Sequence, residues 1–161
     1  MSTHQITVTI NGRPHVASVE GRTLLSDFLR AQAGYTSVHL GCEHGVCGAC
    51  TIMLNGEAVR ACLLLAVQAD GASISTVEGL ADSDGTLHPV QQAMRDEHAL
   101  QCGFCTPGIV MTLVALTRGP KKPSADTLLD ALSGHLCRCT GYRGIRRAAL
   151  KLGAAEEGGK P

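Results

Sequence analysis

The chain has 161 residues with 14 basic and 14 acidic side chains, so its charge gives no reason to expect nucleic acid or an acidic membrane as a partner. Its length suits one medium domain or two small ones, and two Tyr, two Phe and no Trp leave the core to aliphatic residues. Eight Cys stand out in this composition, because small cores with little aromatic filling often need cross-linking.

The first half of the sequence predicts a small mixed sheet with one helix. Residues 5–10 alternate polar and apolar side chains, and Asn11-Gly12 separates them from a second alternating run, a pattern that predicts a β-hairpin. The segment TLLSDFLRAQ places Leu and Phe at helical spacing. A second hairpin centred on Asn55-Gly56 and a short strand, ASISTV, follow, and the module ends near Val77.

The second half predicts a helical module. A polar connector leads to HPVQQAMRDEHAL, which predicts a helix with Pro89 near its start, where the missing N–H costs little. Three further helices are predicted in CTPGIVMTLVAL, in SADTLLDALSGH behind a Ser124 cap, and in TGYRGIRRAALKL. We therefore expect an N-terminal domain over residues 1–77, a connector over 78–83, a four-helix domain over 84–153 and a disordered tail over 154–161.

The N-terminus and the apolar runs give no sign of export or membrane insertion. The opening segment, MSTHQITVTINGRPH, lacks the basic start and apolar stretch of a signal peptide. The apolar run GIVMTLVAL is too short to span a bilayer. We therefore expect a cytoplasmic protein without a membrane span, in which structural disulfides are rare. Eight closely spaced cysteines then indicate metal or redox chemistry.

Four cysteines of the first module have the spacing of a plant-type 2Fe-2S site. The first three form C-x4-C-x2-C, and the fourth comes after the second predicted hairpin. A two-residue turn at Asn55-Gly56 would place Ala49 opposite Cys62, so that Cys62 becomes a close neighbour of Cys50 across the ladder. The predicted ligands are Cys42, Cys47, Cys50 and Cys62.

The same loop is rich in glycine, at Gly41, Gly45 and Gly48. A 2Fe-2S core with four thiolates is an anion, and a loop wrapped around it must point backbone N–H groups at sulfur. Such nests need backbone conformations that glycine reaches without a Cβ clash. The three glycines therefore fit a loop that encloses an iron–sulfur cluster.

Other interpretations of these cysteines fit the spacing less well. A zinc ribbon would need two C-x2-C pairs about 15–20 residues apart, whereas Cys50 and Cys102 are much farther apart. Cys42 and His44 resemble half of a Rieske site, but no second Cys-His pair follows, so we interpret His44 as an exposed loop residue. A thioredoxin-like Cys47–Cys50 dithiol would leave the other six cysteines unused.

The remaining cysteines form a second set, with C-x2-C followed by C-x-C: Cys102, Cys105, Cys137 and Cys139. Each pair stands just before a predicted helix, whose N-terminus carries partial positive charge and free N–H groups. Two such N-termini would stabilise a second anionic cluster, and four free buried cysteines are the weaker alternative. We interpret three nearby arginines as a solvated or subunit-contacting helix face and leave Arg138 open: Arg143, Arg146 and Arg147.

Three motifs in this order, GCEHGVCGAC, QCGFCTPG and LCRCTGY, resemble those of the small iron–sulfur subunit of the molybdenum hydroxylases, the xanthine dehydrogenase family. The resemblance covers residues 5–152, places all eight cysteines, and in AVQADGA is most similar to separate-subunit bacterial members such as carbon monoxide, aldehyde and N-heterocycle dehydrogenases. It implies an α+β fold, with an N-terminal plant-ferredoxin-like (β-grasp) domain followed by a C-terminal four-helix-bundle domain, each holding one 2Fe-2S cluster.

The resemblance also implies an electron-transfer subunit that has no catalytic residues of its own. The second cysteine set would hold the cluster near molybdenum in a large subunit, and the first set would hold the cluster near FAD in a medium subunit. Gln101 and Cys139 would lie near the molybdopterin, expected as its cytosine dinucleotide form. Electrons would pass from molybdenum through both clusters to FAD, within a heterotrimer or a dimer of heterotrimers.

Two questions stay open at this point. His135 stands where the family most often has Asn, and it could hydrogen-bond near the second cluster or face solvent. The alternative function is a free-standing ferredoxin, which would usually need a single module and often has a strongly acidic docking surface. The neutral charge and the second module favour the subunit interpretation.

Overall fold

The computed structural model describes residues 2–153, so the tail predicted for residues 154–161 lies outside the described residues. Five strands form one mixed sheet in the order β2-β1-β5-β3-β4, in which β1 and β5 run parallel and the other neighbours antiparallel. The strands are β1 (Thr3–Ile10), β2 (Arg13–Glu20), β3 (Thr51–Leu54), β4 (Glu57–Arg60) and β5 (Ser73–Ser75).

Both predicted hairpins form. The residues of each two-residue turn have positive φ, from 49° at Asn11 to 88° at Gly56, as a type I′ turn requires. In the second hairpin Thr51 pairs with Arg60 and Leu54 with Glu57, which is the predicted register. The strand β4 ends at Arg60, however, and a 3-10 turn over Ala61–Leu63 continues the chain.

One short helical segment covers the sheet, as predicted. It begins as α1 (Leu25–Asp27) and continues as a π-helical turn over Phe28–Gln32. Leu25, Phe28 and Leu29 are fully buried against the apolar face of the sheet, so the helical spacing of the apolar side chains identified the correct face. Two more 3-10 turns, Ala66–Ala69 and Val77–Gly79, flank β5.

Four helices follow the sheet: α2 (Pro89–Asp96), α3 (Thr106–Thr117), α4 (Ala125–Ser133) and α5 (Arg143–Leu152). Both α2 and α4 pack against α3 and α5, around a second apolar core to which Met53 of β3 also contributes. The Ser124 hydroxyl caps α4 by accepting a hydrogen bond from the Thr127 N–H at 3.2 Å, as predicted. None of the helices between residues 2 and 153 combines the length and the hydropathy that a bilayer span requires.

Candidate metal centres

The first cysteine set lies in the loop between α1 and β3 and in the turn after β4. The Cys47 N–H donates a hydrogen bond to Cys42 Sγ at 3.3 Å, which brings these two residues together. The Ala61 N–H donates to the Cys50 carbonyl at 3.2 Å and extends the hairpin past β4, so that the Cys62 thiol lies beside Cys50. The structure thus brings the four residues together as two pairs, although Cys62 stands in a turn rather than in the strand.

Backbone N–H groups point at the sulfurs of this loop. Hydrogen bonds from the N–H of Cys47, and then of His44, lower the pKa of the Cys42 thiol to about 6. Burial, and then the neighbouring Cys50 thiol, raises the pKa of Cys62 to about 11. The loop therefore favours negative charge on the Cys42 sulfur, whereas burial disfavours it on the Cys62 sulfur.

Several residues of the first cysteine loop have a left-handed backbone, but only two of the three glycines predicted to need such a conformation are among them. Gly45 and Gly48 have φ of 83° and 77°, which side chains with a Cβ rarely adopt. Gly41 does not have positive φ, and its importance is steric, because a Cβ there would lie 3.0 Å from Cys47 Sγ. Glu43, with φ of 55°, supplies another left-handed position that the sequence did not reveal. His44 is exposed.

The second cysteine set surrounds one cavity of about 320 Å³, lined by Cys102, Cys105, Cys137 and Cys139 together with Phe104, Leu136 and Arg138. The Cys102 and Cys139 sulfurs lie 3.5 Å apart and both residues are exposed. Cys105 is buried beside Cys137. The set is again two pairs: one is exposed, and the other, the inner pair, consists of the buried Cys105 and the partly buried Cys137.

The inner pair is asymmetric in charge. Burial, and then the neighbouring Cys137 thiol, raises the pKa of Cys105 to about 12. Burial also opposes ionisation of Cys137, but hydrogen bonds from the Thr140 hydroxyl and from backbone N–H groups outweigh it and lower the pKa of Cys137. The sequence did not predict this role of the Thr140 hydroxyl; the one signal pointing to donors here was the position of Cys137 and Cys139 just before a predicted helix.

The helix starts around this set differ from the prediction in one respect. The helix α3 begins at Thr106, directly after the first cysteine pair as predicted, and its N-cap is Cys105. The helix α5 begins at Arg143, and Tyr142 before it is left-handed, with φ of 63°. The donors beside Cys137 therefore come from the loop at Cys139 and Thr140 rather than from the first turn of a helix.

His135 is buried, with 2% of its surface exposed, so the solvent-facing interpretation is wrong. Its Nε2 lies 2.8 Å from Thr112 Oγ1, and a Cβ on Gly48 would collide with the imidazole ring. Burial, and then the nearby Arg60 guanidinium, lowers the pKa of His135 to about 4, so the ring is neutral. His135 thus packs between the two cysteine loops.

Other contacts also join the two loops. The Leu136 N–H donates to the Cys47 carbonyl at 3.0 Å, and Arg60 Nη2 donates to the Gly134 carbonyl at 2.8 Å. The backbone of Gly108 in α3 packs directly on the peptide that follows Gly48. Both halves of the second cysteine site therefore contact the loop of the first.

The remaining residues singled out in the sequence lie at the surface. Gln101 is exposed next to Cys102, and Arg138 is exposed at the second cavity. Arg147 pairs with Glu97, the C-cap residue of α2, with 2.6 Å between Nε and Oε2, so this arginine links α5 to the end of α2. Phe104, 46% exposed beside the second set, stacks on His39 with ring centres 4.6 Å apart.

The donor chemistry of both sites fits an iron–sulfur cluster. All eight cysteines are free thiols, grouped four and four. In the described part of the chain, no three or more His, Cys, Asp or Glu side chains are arranged to hold a single metal ion. Four thiols that approach in two pairs suit a centre with two irons and four thiolates, and the N–H groups aimed at sulfur suit its negative charge.

Comparison with protein families and named proteins agrees with this reading of the sites. Residues 8–78 match a family described as a 2Fe-2S iron-sulfur cluster binding domain, and residues 76–150 match a [2Fe-2S] binding domain. The chain is 52% identical to the nicotine 6-hydroxylase small subunit of Paenarthrobacter nicotinovorans, with 91% of this chain and 87% of that protein covered. It is also 52% identical to the caffeine dehydrogenase subunit gamma of Pseudomonas sp. (strain CBB1), with 98% and 95% covered.

Solved structures show the same fold. A chain of quinoline 2-oxidoreductase from Pseudomonas putida 86 superposes with a TM-score of 0.86 at 49% identity, and the match covers 92% of this chain and 91% of that one. Aldehyde oxidoreductase from Desulfovibrio gigas gives a TM-score of 0.84 at 39% identity, covering 92% of this chain but 17% of that longer chain. A ferredoxin-like domain followed by a helical domain therefore describes the architecture.

Proposed function

Because the chain belongs to the iron–sulfur small subunits of the molybdenum hydroxylases, the xanthine dehydrogenase family, we propose that it is the electron-transfer subunit of such a complex. It is a non-catalytic subunit of an oxidoreductase, so the substrate is oxidised on another chain. The observation that carries the proposal is the grouping of eight free thiols into two sets of four, each lined with hydrogen-bond donors for negative sulfur.

The ligand assignment follows from these sets. One 2Fe-2S cluster would be held by Cys42, Cys47, Cys50 and Cys62, and a second by Cys102, Cys105, Cys137 and Cys139. When bound, each cluster would supply a one-electron redox centre, so that the pair could relay electrons from the molybdenum–pterin centre to FAD. The pairwise approach of the thiols and the hydrogen bonds that lower the pKa of Cys42 and of Cys137 support this assignment.

The exposed side of the second set is the proposed contact with the large molybdenum subunit. Gln101, Cys102 and Cys139 are all at the surface there, where a pterin of a partner could reach Gln101 and Cys139. We expect the cytosine dinucleotide form of that cofactor. The first set would face FAD in a medium subunit, within a heterotrimer or a dimer of heterotrimers.

Relatives named for nicotine, caffeine and quinoline point to an N-heteroaromatic substrate for the complex. The partner's molybdenum site would select it. The large subunit of the same complex, assayed with nicotine, caffeine, quinoline and an aldehyde, would test this proposal, and turnover of the aldehyde alone would contradict it.

The domain organisation is proposed as predicted: residues 1–77 form the ferredoxin-like domain, 78–83 the connector and 84–153 a four-helix bundle. The separate apolar cores and the meeting of the two family matches at residues 76–78 support this division. We propose the cytoplasm as the location, because eight free thiols suit a reducing compartment.

Iron analysis with EPR spectroscopy tests the ligand assignment. We expect about four Fe per chain and two 2Fe-2S signals after reduction. Cys47→Ser should remove one signal and Cys139→Ser the other, and each variant serves as the matched control for the other. Zinc, about two Fe per chain, or loss of both signals in one variant with unchanged circular dichroism would contradict the assignment.

Purification from the native host separates this function from a free-standing ferredoxin. A subunit should co-elute in size-exclusion chromatography with a large molybdenum-containing chain and a medium flavin-containing chain. A lone small species that still accepts electrons would favour the ferredoxin instead.

A further inference from the structure

One side chain contacts a sulfur of the second cysteine set from outside the set. Thr140 Oγ1 lies 3.1 Å from Cys137 Sγ. The other donors at this sulfur are the backbone N–H groups of Cys139 and Thr140 and the thiol of Cys105, which the assignment makes a cluster ligand. Among ordinary substitutions, only proline would remove a backbone N–H. The Thr140 hydroxyl is thus a side-chain donor to this sulfur that mutation can delete without changing the backbone or a proposed cluster ligand.

The direction of this hydrogen bond follows from its partners. The Tyr142 N–H donates to Thr140 Oγ1 at 3.1 Å, so the hydroxyl oxygen already acts as an acceptor. A cysteine that binds iron is a thiolate, which has no proton to donate. The Thr140 O–H must therefore donate to the Cys137 sulfur when that sulfur is a ligand.

Tyr142 fixes the loop in which this contact forms. Its hydroxyl accepts a hydrogen bond from the Cys137 N–H at 2.8 Å and donates one to the His135 carbonyl at 3.3 Å. The backbone of Tyr142 lies in the left-handed region, with φ of 63° and ψ of −7°. A residue with a bulky side chain adopts this conformation only where surrounding contacts stabilise it. This conformation lets Tyr142 bind Thr140 with its N–H and Cys137 with its side chain.

We propose that Thr140 is a positioning residue whose hydroxyl donates a hydrogen bond to the Cys137 sulfur and thereby raises the reduction potential of the second cluster. The proposal rests on the ligand assignment above. Reduction adds negative charge to the cluster, and a donor aimed at a ligand sulfur stabilises the more negative state more strongly. The outer shell of a metal site tunes its potential in this way.

The test is an EPR-monitored redox titration of the assembled complex. Thr140→Val removes the hydroxyl at nearly constant volume, and Thr140→Ser keeps it. Thr117→Val is the matched control, because its hydroxyl bonds to the Leu113 carbonyl at 2.7 Å near the end of α3. We expect Thr140→Val to shift the second cluster to a more negative potential and to leave the first unchanged, with wild-type values in Thr140→Ser and Thr117→Val.

The outcomes separate this proposal from the ligand assignment. Suppose Thr140→Val shows two cluster signals and an unchanged potential of the second cluster, or Thr140→Ser shifts that potential as much as Thr140→Val does. Either result would overturn the proposed role of the hydroxyl and leave the ligand assignment intact. A wild-type complex with one signal would overturn the ligand assignment and this proposal together.

Failure to load the cluster would also be informative. If Thr140→Val and Thr140→Ala both lose the second signal while Thr140→Ser retains it, the hydroxyl positions Cys137 for loading, which supports its donation to that sulfur. If all three variants lose the signal, the contact with the hydroxyl is not what the site requires, and the proposal fails.

Discussion

Gly108→Ala should loosen the contact between the two cysteine sites. Gly108 lies in the first turn of α3, and a Cβ there would lie 3.0 Å from the Ala49 carbonyl oxygen, 3.1 Å from Ala49 Cα and closer still to the Gly48 oxygen. These atoms belong to the backbone, so no side-chain rotation can relieve the overlap. The helix or the loop must move.

The expected cost is the balance of two effects. Alanine is favoured over glycine inside a helix by about 1 kcal/mol, which alone would stabilise the variant. Overpacking of a close-packed contact costs about 1–3 kcal/mol, and the upper part of that range applies where backbone atoms are the neighbours. We therefore expect a net loss of about 1–2 kcal/mol in the free energy of unfolding.

Urea unfolding of the anaerobically reconstituted chain, followed by circular dichroism, measures this change. Gly119→Ala is the matched control, because Gly119 has no positive φ and a Cβ there would meet nothing within 4 Å. The control should unfold at the same urea concentration as wild type or at a slightly higher one. A Gly108→Ala chain as stable as the control would refute the idea that this glycine is needed for the close approach.

Two further substitutions test the helical module. Glu97→Gln removes ion pairs with Lys151 and Arg147, whose hydrogen bonds lower the pKa of Glu97. A carboxyl with a lowered pKa stabilises the fold above its unfolded pKa near 4.5, and this stabilisation is lost as the pH falls through the folded pKa. The stability lost in Glu97→Gln should therefore be constant from pH 8 to pH 5. Thermal unfolding at pH 8, 6 and 5 checks this, and a difference from wild type that shrinks over that range would contradict it. Ser124→Ala should lower the free energy of unfolding in urea by about 1 kcal/mol, because the Thr127 N–H loses its hydrogen-bond acceptor. Ser124→Asp should retain most of the stability, since a carboxylate can also cap the helix. Equal losses in both variants would show that the cap is not the cause.

Local signals were enough to predict most elements of the fold. Each Asn-Gly turn has a narrow conformational requirement, so the second turn also determined the register that brings Cys62 to Cys50. Pro89 and Ser124 marked helix starts through their own backbone and side-chain chemistry. These signals act within a few residues, and the structure confirms them.

The errors fall where distant contacts decide the conformation. The helix α5 begins after Tyr142, later than predicted, because hydrogen bonds with Cys137, His135 and Thr140 stabilise the left-handed backbone of Tyr142. The local sequence does not indicate these hydrogen bonds. The sequence left both a buried and a solvent-facing His135 open, because its hydrogen-bond partner Thr112 lies in α3, 23 residues earlier in the chain. Neighbours of this kind follow from tertiary packing, not from spacing along the chain.

The most consequential of these unpredicted contacts is the hydrogen bond from the Leu136 N–H to the Cys47 carbonyl. Leu136 directly precedes Cys137, so this hydrogen bond joins Cys47 to the residue next to Cys137. We assign these two cysteines to different clusters. With Gly108 packed on the peptide after Gly48, this contact fixes the two loops relative to each other. A relay of electrons depends on a constant separation between its centres, and the two modules are therefore best regarded as one electron-transfer unit rather than as two tethered ferredoxins.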